Sequence, residues 1–85
     1  MPKIKVPLEP KDRTLMDLGY RVALLRQKKG ITQYRLGLLS RTTQSYISDL
    51  EMGRRNPSVL VLARIAKALD CELSDLFYFD EGEQL

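Results

Sequence analysis

Residues 42–58 read TTQSYISDLEMGRRNPS, and the organisation of the chain can be worked out from this stretch. Two apolar residues, Ile47 and Leu50, lie three positions apart in a run that is otherwise mostly polar. A helix turns by about 100° per residue, so these two share one side, whereas Ser45 and Asp49 point nearly opposite. The pattern predicts a short helix that is buried on one side only.

The polar side of this predicted helix carries short hydrogen-bonding side chains and no long cation. Gln44 lies in the first turn, and Ser45, Ser48 and Asp49 follow along the same side or its flank. The major groove of DNA admits an α-helix, and the base edges there pair with amide, hydroxyl and carboxylate groups. These four residues are therefore candidates for base reading. The alternative is an ordinary solvated helix face, which this segment alone does not exclude.

Two helices are predicted before this stretch. The first begins at Thr14, which forms a capping-box pattern with Asp17, and it ends at Gly30. The second follows the N-cap candidate Thr32 and ends near Ser40. The apolar side of the first helix consists of Leu15, Leu18, Val22 and Leu25, and that of the second consists of Leu36 and Leu39.

Two more helices are predicted after the stretch, which makes the domain all-α with five helices. Ser58 caps a fourth helix, and a short fifth helix lies within residues 72–79. We expect three regions: an extended arm over residues 1–13, where three prolines disfavour helix, a domain over residues 14–79, and an acidic tail over residues 80–85.

Composition excludes several classes of function. The 85 residues suffice for one domain, and they include no His and one Cys. An intrachain disulfide, a Cys/His zinc site and imidazole-based catalysis are thereby excluded. We expect no enzyme activity, no metal and no cofactor. No apolar run approaches the ~20 residues that span a bilayer, and there is no signal-peptide core, so a cytoplasmic protein without membrane contact is expected.

The formal net charge of +3 hides an asymmetry along the chain. Ten Lys and Arg against three Asp and Glu give residues 1–41 a charge of +7, whereas four against eight give residues 42–85 a charge of −4. The basic half suits a polyanion, although solvated surface explains the same charges equally well.

The order and spacing of three blocks carry a family resemblance. The chain reads R-x4-R-x3-G-I-T-Q-x2-L, then T-T-Q-S-Y-I-S-D-L-E-x-G-R-R-N-P-S, then L-x2-I-A-K-A-L. This arrangement, from Leu18 to about Phe77, closely resembles the phage-repressor/Cro-like helix-turn-helix family, often called the XRE family. No single block is specific, but the combination at this spacing is.

The resemblance implies a five-helix lambda-repressor-like domain whose second and third helices form a helix-turn-helix that reads double-stranded DNA. It places Gln44 and Ser45 at the main base-reading positions, with Ser48 and Asp49 further along the same face. It implies a paired Arg26 and Glu51 that join the first helix to the third. It further implies that Gln33, Arg54, Arg55 and Asn56 contact the DNA backbone. We also expect Thr43 and Tyr46 to contact the backbone, with coverage of the core as the alternative for Tyr46.

Two departures from the family pattern affect the helix-turn-helix. Family members usually carry an apolar residue and then glycine between the two helices, where this chain has Ser40 and Arg41. We expect Arg41 to adopt a left-handed conformation, which is unfavourable for a residue with a side chain. Gly37 replaces the usual alanine of the second helix, where it permits close packing but lowers helix propensity.

The C-terminal part of the domain is crowded with large apolar residues, which suggests a dimer. A short helix cannot point all of them at one core, so some must be exposed or meet a partner. We expect a two-fold symmetric homodimer through this segment and the fourth helix around Val61, Arg64 and Ala68. The alternative is that these residues cover the monomer's own core. They are Leu73, Leu76, Phe77, Tyr78 and Phe79.

The resulting hypothesis is a small transcriptional repressor or controller-type autoregulator that binds an inverted-repeat operator as a dimer. Two alternatives share the fold: the antitoxin of a toxin–antitoxin pair, and a protein-interaction module that has lost DNA binding. Besides DNA and a second copy of the chain, RNA polymerase or a toxin protein are candidate partners.

Overall fold

A computed structural model describes residues 12–79, which form four α-helices and one short 3-10 helix. None of the helices in this range is long and apolar enough to cross a bilayer. The predicted arm up to residue 11 and the predicted tail over residues 80–85 lie outside the described residues. The elements are α1 (Arg13–Lys29), α2 (Gln33–Leu39), α3 (Gln44–Glu51), α4 (Val59–Ala68) and the 3-10 helix (Leu73–Phe77).

Side-chain caps start all four α-helices, and three of them are the predicted ones. Thr32, Thr43 and Ser58 each accept a hydrogen bond from the backbone N–H three residues later. The predicted start of α1 is wrong, because Asp12 rather than Thr14 is its N-cap and accepts hydrogen bonds from the backbone N–H groups of Thr14 and Leu15. A carboxylate suits the positive end of a helix better than a hydroxyl does.

The hydrophobic core joins all five helices and includes both apolar residues of α3. Ile47 and Leu50 are completely buried, which confirms the predicted one-sided burial of that helix. The other buried apolar residues are Leu18, Val22, Leu36, Leu62, Ile65, Ala66, Leu69 and Leu76.

Two glycines let helices approach α3 more closely than any larger residue would allow. A Cβ at Gly37 would lie 2.7 Å from the carbonyl carbon of Thr43, which confirms close packing as the reason for that departure. A Cβ at Gly19, in the middle of α1, would lie 2.4 Å from the carbonyl oxygen of Leu50. The backbones of α1 and α3 are therefore in contact, a feature that the sequence analysis missed.

The connection between α2 and α3 is a tight turn with a strained residue. Arg41 has φ 62°, which confirms the expected left-handed conformation. Ser40 is fully buried, and its hydroxyl donates to the carbonyl oxygen of Leu36 at 2.7 Å. Arg64 of α4 donates from Nε to the carbonyl oxygen of Ser40 at 2.8 Å, so α4 braces the turn.

The C-terminal segment is shorter and differently wound than predicted, and one of its proposed interface residues belongs to the core. A 3-10 helix has about three residues per turn, so adjacent side chains diverge widely. Leu76 is fully buried and therefore cannot lie at a dimer interface, while its neighbour Phe77 is 44% exposed. Tyr78 is also exposed, and Phe79 is partly buried against the core.

Candidate nucleic-acid interface

The side of α3 that faces away from the core is polar and accessible. We call it the outer face of α3, and it consists of Gln44, Ser45, Ser48 and Asp49. Gln44 and Ser45 are exposed, whereas Ser48 and Asp49, further along the helix, are partly exposed. The structure therefore places the four predicted base-reading residues on one short helix, away from its buried side.

The inner side of α3 is held by a buried ion pair, and this confirms the predicted pairing. Arg26 donates from Nε to Oε2 of Glu51 at 2.7 Å and from Nη2 to Oε1 at 3.1 Å. The two side chains are only 12% and 7% exposed. The third donor group of Arg26, Nη1, binds the carbonyl oxygen of Ile31 at 2.9 Å. Bidentate geometry with satisfied donors is what makes a buried pair tolerable.

Gln33 joins this buried pair, which the sequence did not predict. Its Nε2 donates to Oε1 of Glu51 at 2.9 Å, so the carboxylate is shared by residues from α1 and α2. Through Glu51, the orientation of α3 is tied to both preceding helices. The predicted contact of Gln33 with a DNA phosphate stays a prediction.

The loop after α3 turns back along the helix. Gly53 adopts φ 79°, and the backbone N–H of Arg54 donates to the carbonyl oxygen of Asp49 at 2.9 Å. The side chain of Arg54 is exposed and has no partner among residues 12–79. Asn56 is likewise exposed. This loop presents cationic and amide groups beside the outer face of α3.

The side chain of Arg55, in contrast, contacts two side chains of α3, those of Asp49 and Tyr46. Nη2 of Arg55 lies 3.5 Å from Oδ2 of Asp49, and its guanidinium carbon lies 5.0 Å from the centre of the Tyr46 ring. Burial raises the pKa of the Tyr46 hydroxyl, and the positive charges of Arg55 and Arg64 oppose that rise. The tyrosine therefore stays neutral at physiological pH.

Thr43 caps α3, in addition to its predicted contact with the DNA backbone. Its hydroxyl oxygen accepts the N–H of Tyr46 at 3.0 Å and so caps α3. The hydroxyl proton remains available to a phosphate oxygen, because a threonine can donate and accept at the same time. The cap also fixes the first turn of α3, where Gln44 lies.

A family profile described as helix-turn-helix matches residues 22–76. The competence pilus inhibition repressor of Acinetobacter baylyi is 41% identical over 67 residues, which are 79% of this chain and 61% of the relative. The immunity repressor protein of Bacillus phage phi105 is 34% identical over 59 residues, which are 69% of this chain and 41% of the relative. This chain thus spans less than two thirds of either repressor.

Two solved structures resemble this chain in both fold and sequence. The restriction-modification controller protein C.AhdI from Aeromonas hydrophila superposes with a TM-score of 0.73 at 40% identity, over 74% of this chain and 96% of that one. The P22 c2 repressor, solved in complex with a synthetic operator, superposes with a TM-score of 0.68 at 30% identity, over 74% of this chain and 96% of that one.

Proposed function

Because this chain belongs to the helix-turn-helix family, we propose that it is a sequence-specific DNA-binding transcriptional regulator, a small repressor or controller-type autoregulator. One observation carries the proposal: α3 is held on its inner side by the buried pair of Arg26 and Glu51, while its outer face offers short polar groups that no other helix within residues 12–79 covers. A reading helix needs both properties, since base edges must be met by donors and acceptors held in place.

In this proposal α3 lies in the major groove and its N-terminal turn approaches the bases. Gln44 pairs with an adenine through its amide, and Ser45 and Ser48 bond to neighbouring bases. Arg54 and Asn56, from the loop after α3, contact backbone phosphates, which position the helix without carrying sequence information. Gln33 and Thr43 are proposed as further backbone contacts at the helix N-termini.

A homodimer is the second part of the proposal. One domain makes few base contacts, and two domains on a two-fold axis double them at half-sites about 34–36 Å apart. The C-terminal segment offers an exposed apolar surface for this contact, with Leu73 37%, Phe77 44% and Tyr78 59% exposed. Isologous contact of this surface with itself would shield those side chains from water.

The test is binding of DNA from immediately upstream of the protein's own gene, measured by fluorescence anisotropy at several salt concentrations. We expect an inverted repeat there to bind about 10³-fold or more tightly than a scrambled duplex of equal length. Equal affinity for both duplexes would contradict sequence-specific regulation.

Sedimentation of the free protein tests the dimer, with Phe77→Ser as the variant. We expect the unaltered chain to reach twice its 9.8 kDa mass at micromolar concentration and the variant to stay at the monomer mass. A monomer at every concentration would overturn the dimer in solution without affecting the assignment of α3.

A further inference from the structure

Tyr46 and Asp49 lie three positions apart on α3, so their side chains project from neighbouring points of the helix surface. The return of the chain after Gly53 brings Arg55 to both of them. The ring of Tyr46 lies under the guanidinium at 5.0 Å from its centre, and the carboxylate of Asp49 approaches Nη2 at 3.5 Å. Arg55 is therefore held from two directions.

Its neighbour Arg54 serves as an internal comparison. Both arginines are exposed and both follow the same turn, but the side chain of Arg54 makes no contact of this kind within residues 12–79. Two adjacent cations of the loop thus differ in one respect, which is whether α3 fixes them. Ordering an arginine side chain is unfavourable for binding, and an arginine that is already ordered avoids that loss.

Without its pairing to Arg55, the carboxylate of Asp49 would be unfavourable for DNA binding. A carboxylate beside the DNA-facing side of a helix repels phosphates, and its pairing with Arg55 removes much of that repulsion. Rotation of Asp49 toward a base would release Arg55, so the two roles compete.

We propose that Asp49 and Tyr46 are positioning residues that hold Arg55 as a pre-ordered cation for one backbone phosphate of DNA, and that Asp49 does not read a base. This rests on the proposed function, because it assigns roles within the same interface. Tyr46 acts through the face of its ring, as a platform for the guanidinium.

The first test needs no DNA and so stands even where the proposed function fails. Relaxation of the side-chain 15Nε–1Hε groups compares Arg55 with Arg54 in the free protein. We expect Arg55 to be the more ordered of the two, and to lose that order in Asp49→Asn and in Tyr46→Leu but not in Tyr46→Phe. Equal mobility of the two arginines in the unaltered protein would overturn the proposal.

The second test is a double-mutant cycle on DNA affinity. In the Arg55→Ala background, Asp49→Ala should raise affinity for every duplex several-fold, because it removes a carboxylate without a partner. In the unaltered background this gain should be absent, since the freed arginine loses its order. Arg54→Ala is the matched control, and Asp49→Ala should behave there as it does in the unaltered protein.

The same measurements separate positioning from base reading. Arg55→Ala should make the negative slope of log affinity against log salt concentration shallower by about 0.9, the value for one phosphate contact. If Asp49→Ala instead changed the preferred base at one operator position in both backgrounds, Asp49 would be a base reader and the proposal would be wrong. Tyr46→Phe should bind as the unaltered protein does, and a fall in its affinity would assign the phosphate contact to the hydroxyl.

Discussion

The two faces of α3 each carry an acidic residue paired with an arginine, but the two pairs differ in depth. On the inner side, Glu51 and Arg26 are 7% and 12% exposed, and besides the bonds between them they make two hydrogen bonds with their surroundings, from Arg26 to Ile31 and from Gln33 to Glu51. On the outer side, Asp49 and Arg55 are 39% and 47% exposed and their closest atoms are 3.5 Å apart. Asp49 and Glu51 are only two positions apart on α3, yet one acid–arginine pair is exposed to water and the other is buried.

The difference assigns the inner pair to stability and the outer pair to binding. Loss of one partner of a buried pair leaves a charge that water cannot reach, whereas an exposed charge is resolvated at once. Changes on the inner side should therefore alter the free energy of unfolding and leave base preference intact. Changes to the outer pair should alter DNA binding and leave the free energy of unfolding nearly unchanged.

The largest expected effect is that of Glu51→Ala. The change strands the guanidinium of Arg26 and also removes the acceptor of Gln33, so we expect the free energy of unfolding to fall by about 3–5 kcal/mol. Urea denaturation followed by circular dichroism measures it. The control is Asp49→Ala, which removes the exposed carboxylate and should cost at most about 1 kcal/mol. Equal losses in the two variants would break the comparison between the faces.

The backbone contact behind α3 should be nearly as sensitive. Gly19→Ala places a methyl group 2.4 Å from the carbonyl oxygen of Leu50, so the two helices must separate. Overpacking of this kind costs about 1–3 kcal/mol. Gly30→Ala is the matched control, because nothing lies within 4 Å of its new Cβ and only its positive φ is strained. A Gly19→Ala protein with an unchanged unfolding midpoint would show that α1 and α3 are further apart.

Much of this architecture follows from local sequence signals. The caps at Thr32, Thr43 and Ser58 are local patterns, and a helix that begins at them carries its apolar residues at fixed intervals. The predicted start of α1 is wrong because Thr14 and Asp12 both fit an N-cap, and Asp17, the proposed second member of the capping box, pairs with Arg13 instead. Local sequence pattern alone does not decide which of two such candidates is the N-cap.

Features that depend on how the chain packs were harder to foresee. The pair of Arg26 and Glu51 came from family resemblance, since 25 positions separate its members. Gly19 carried a usable signal, because a glycine in the middle of a helical pattern usually has a packing reason. The attachment of Arg55 to α3 had none, since it depends on the path of the chain after Gly53. The burial of Leu76 beside its exposed neighbour Phe77 also depends on packing, and the dense apolar sequence of this segment did not single Leu76 out.

On the outer side the decisive change is Gln44→Ala. We expect a loss of about 1–3 kcal/mol in binding that is confined to one base pair of each half-site, because the bidentate amide contact with adenine disappears. Stability should remain within about 0.5 kcal/mol, since the side chain is exposed. Affinity for operators substituted at each position measures the effect. A uniform loss over all operators would instead indicate a backbone contact.

The smallest effect, and one of opposite sign, is expected at Arg41 in the turn that sets the orientation of α3. Its φ of 62° is unfavourable by about 1–2 kcal/mol for a residue with a Cβ, whereas glycine adopts it freely. Glycine also makes the unfolded chain more flexible, which offsets about 0.5–1 kcal/mol of the gain. Arg41→Gly should therefore stabilise the fold by about 0.5 kcal/mol, with base preference unchanged because both faces of α3 keep their places.

The control Arg41→Ala separates the effect of the backbone from that of the charge, since it removes the guanidinium but keeps the Cβ and the strain. Thermal unfolding of the three proteins decides: a more stable glycine variant beside an unchanged alanine variant identifies strain in the turn, and a glycine variant that is less stable than the alanine variant contradicts it.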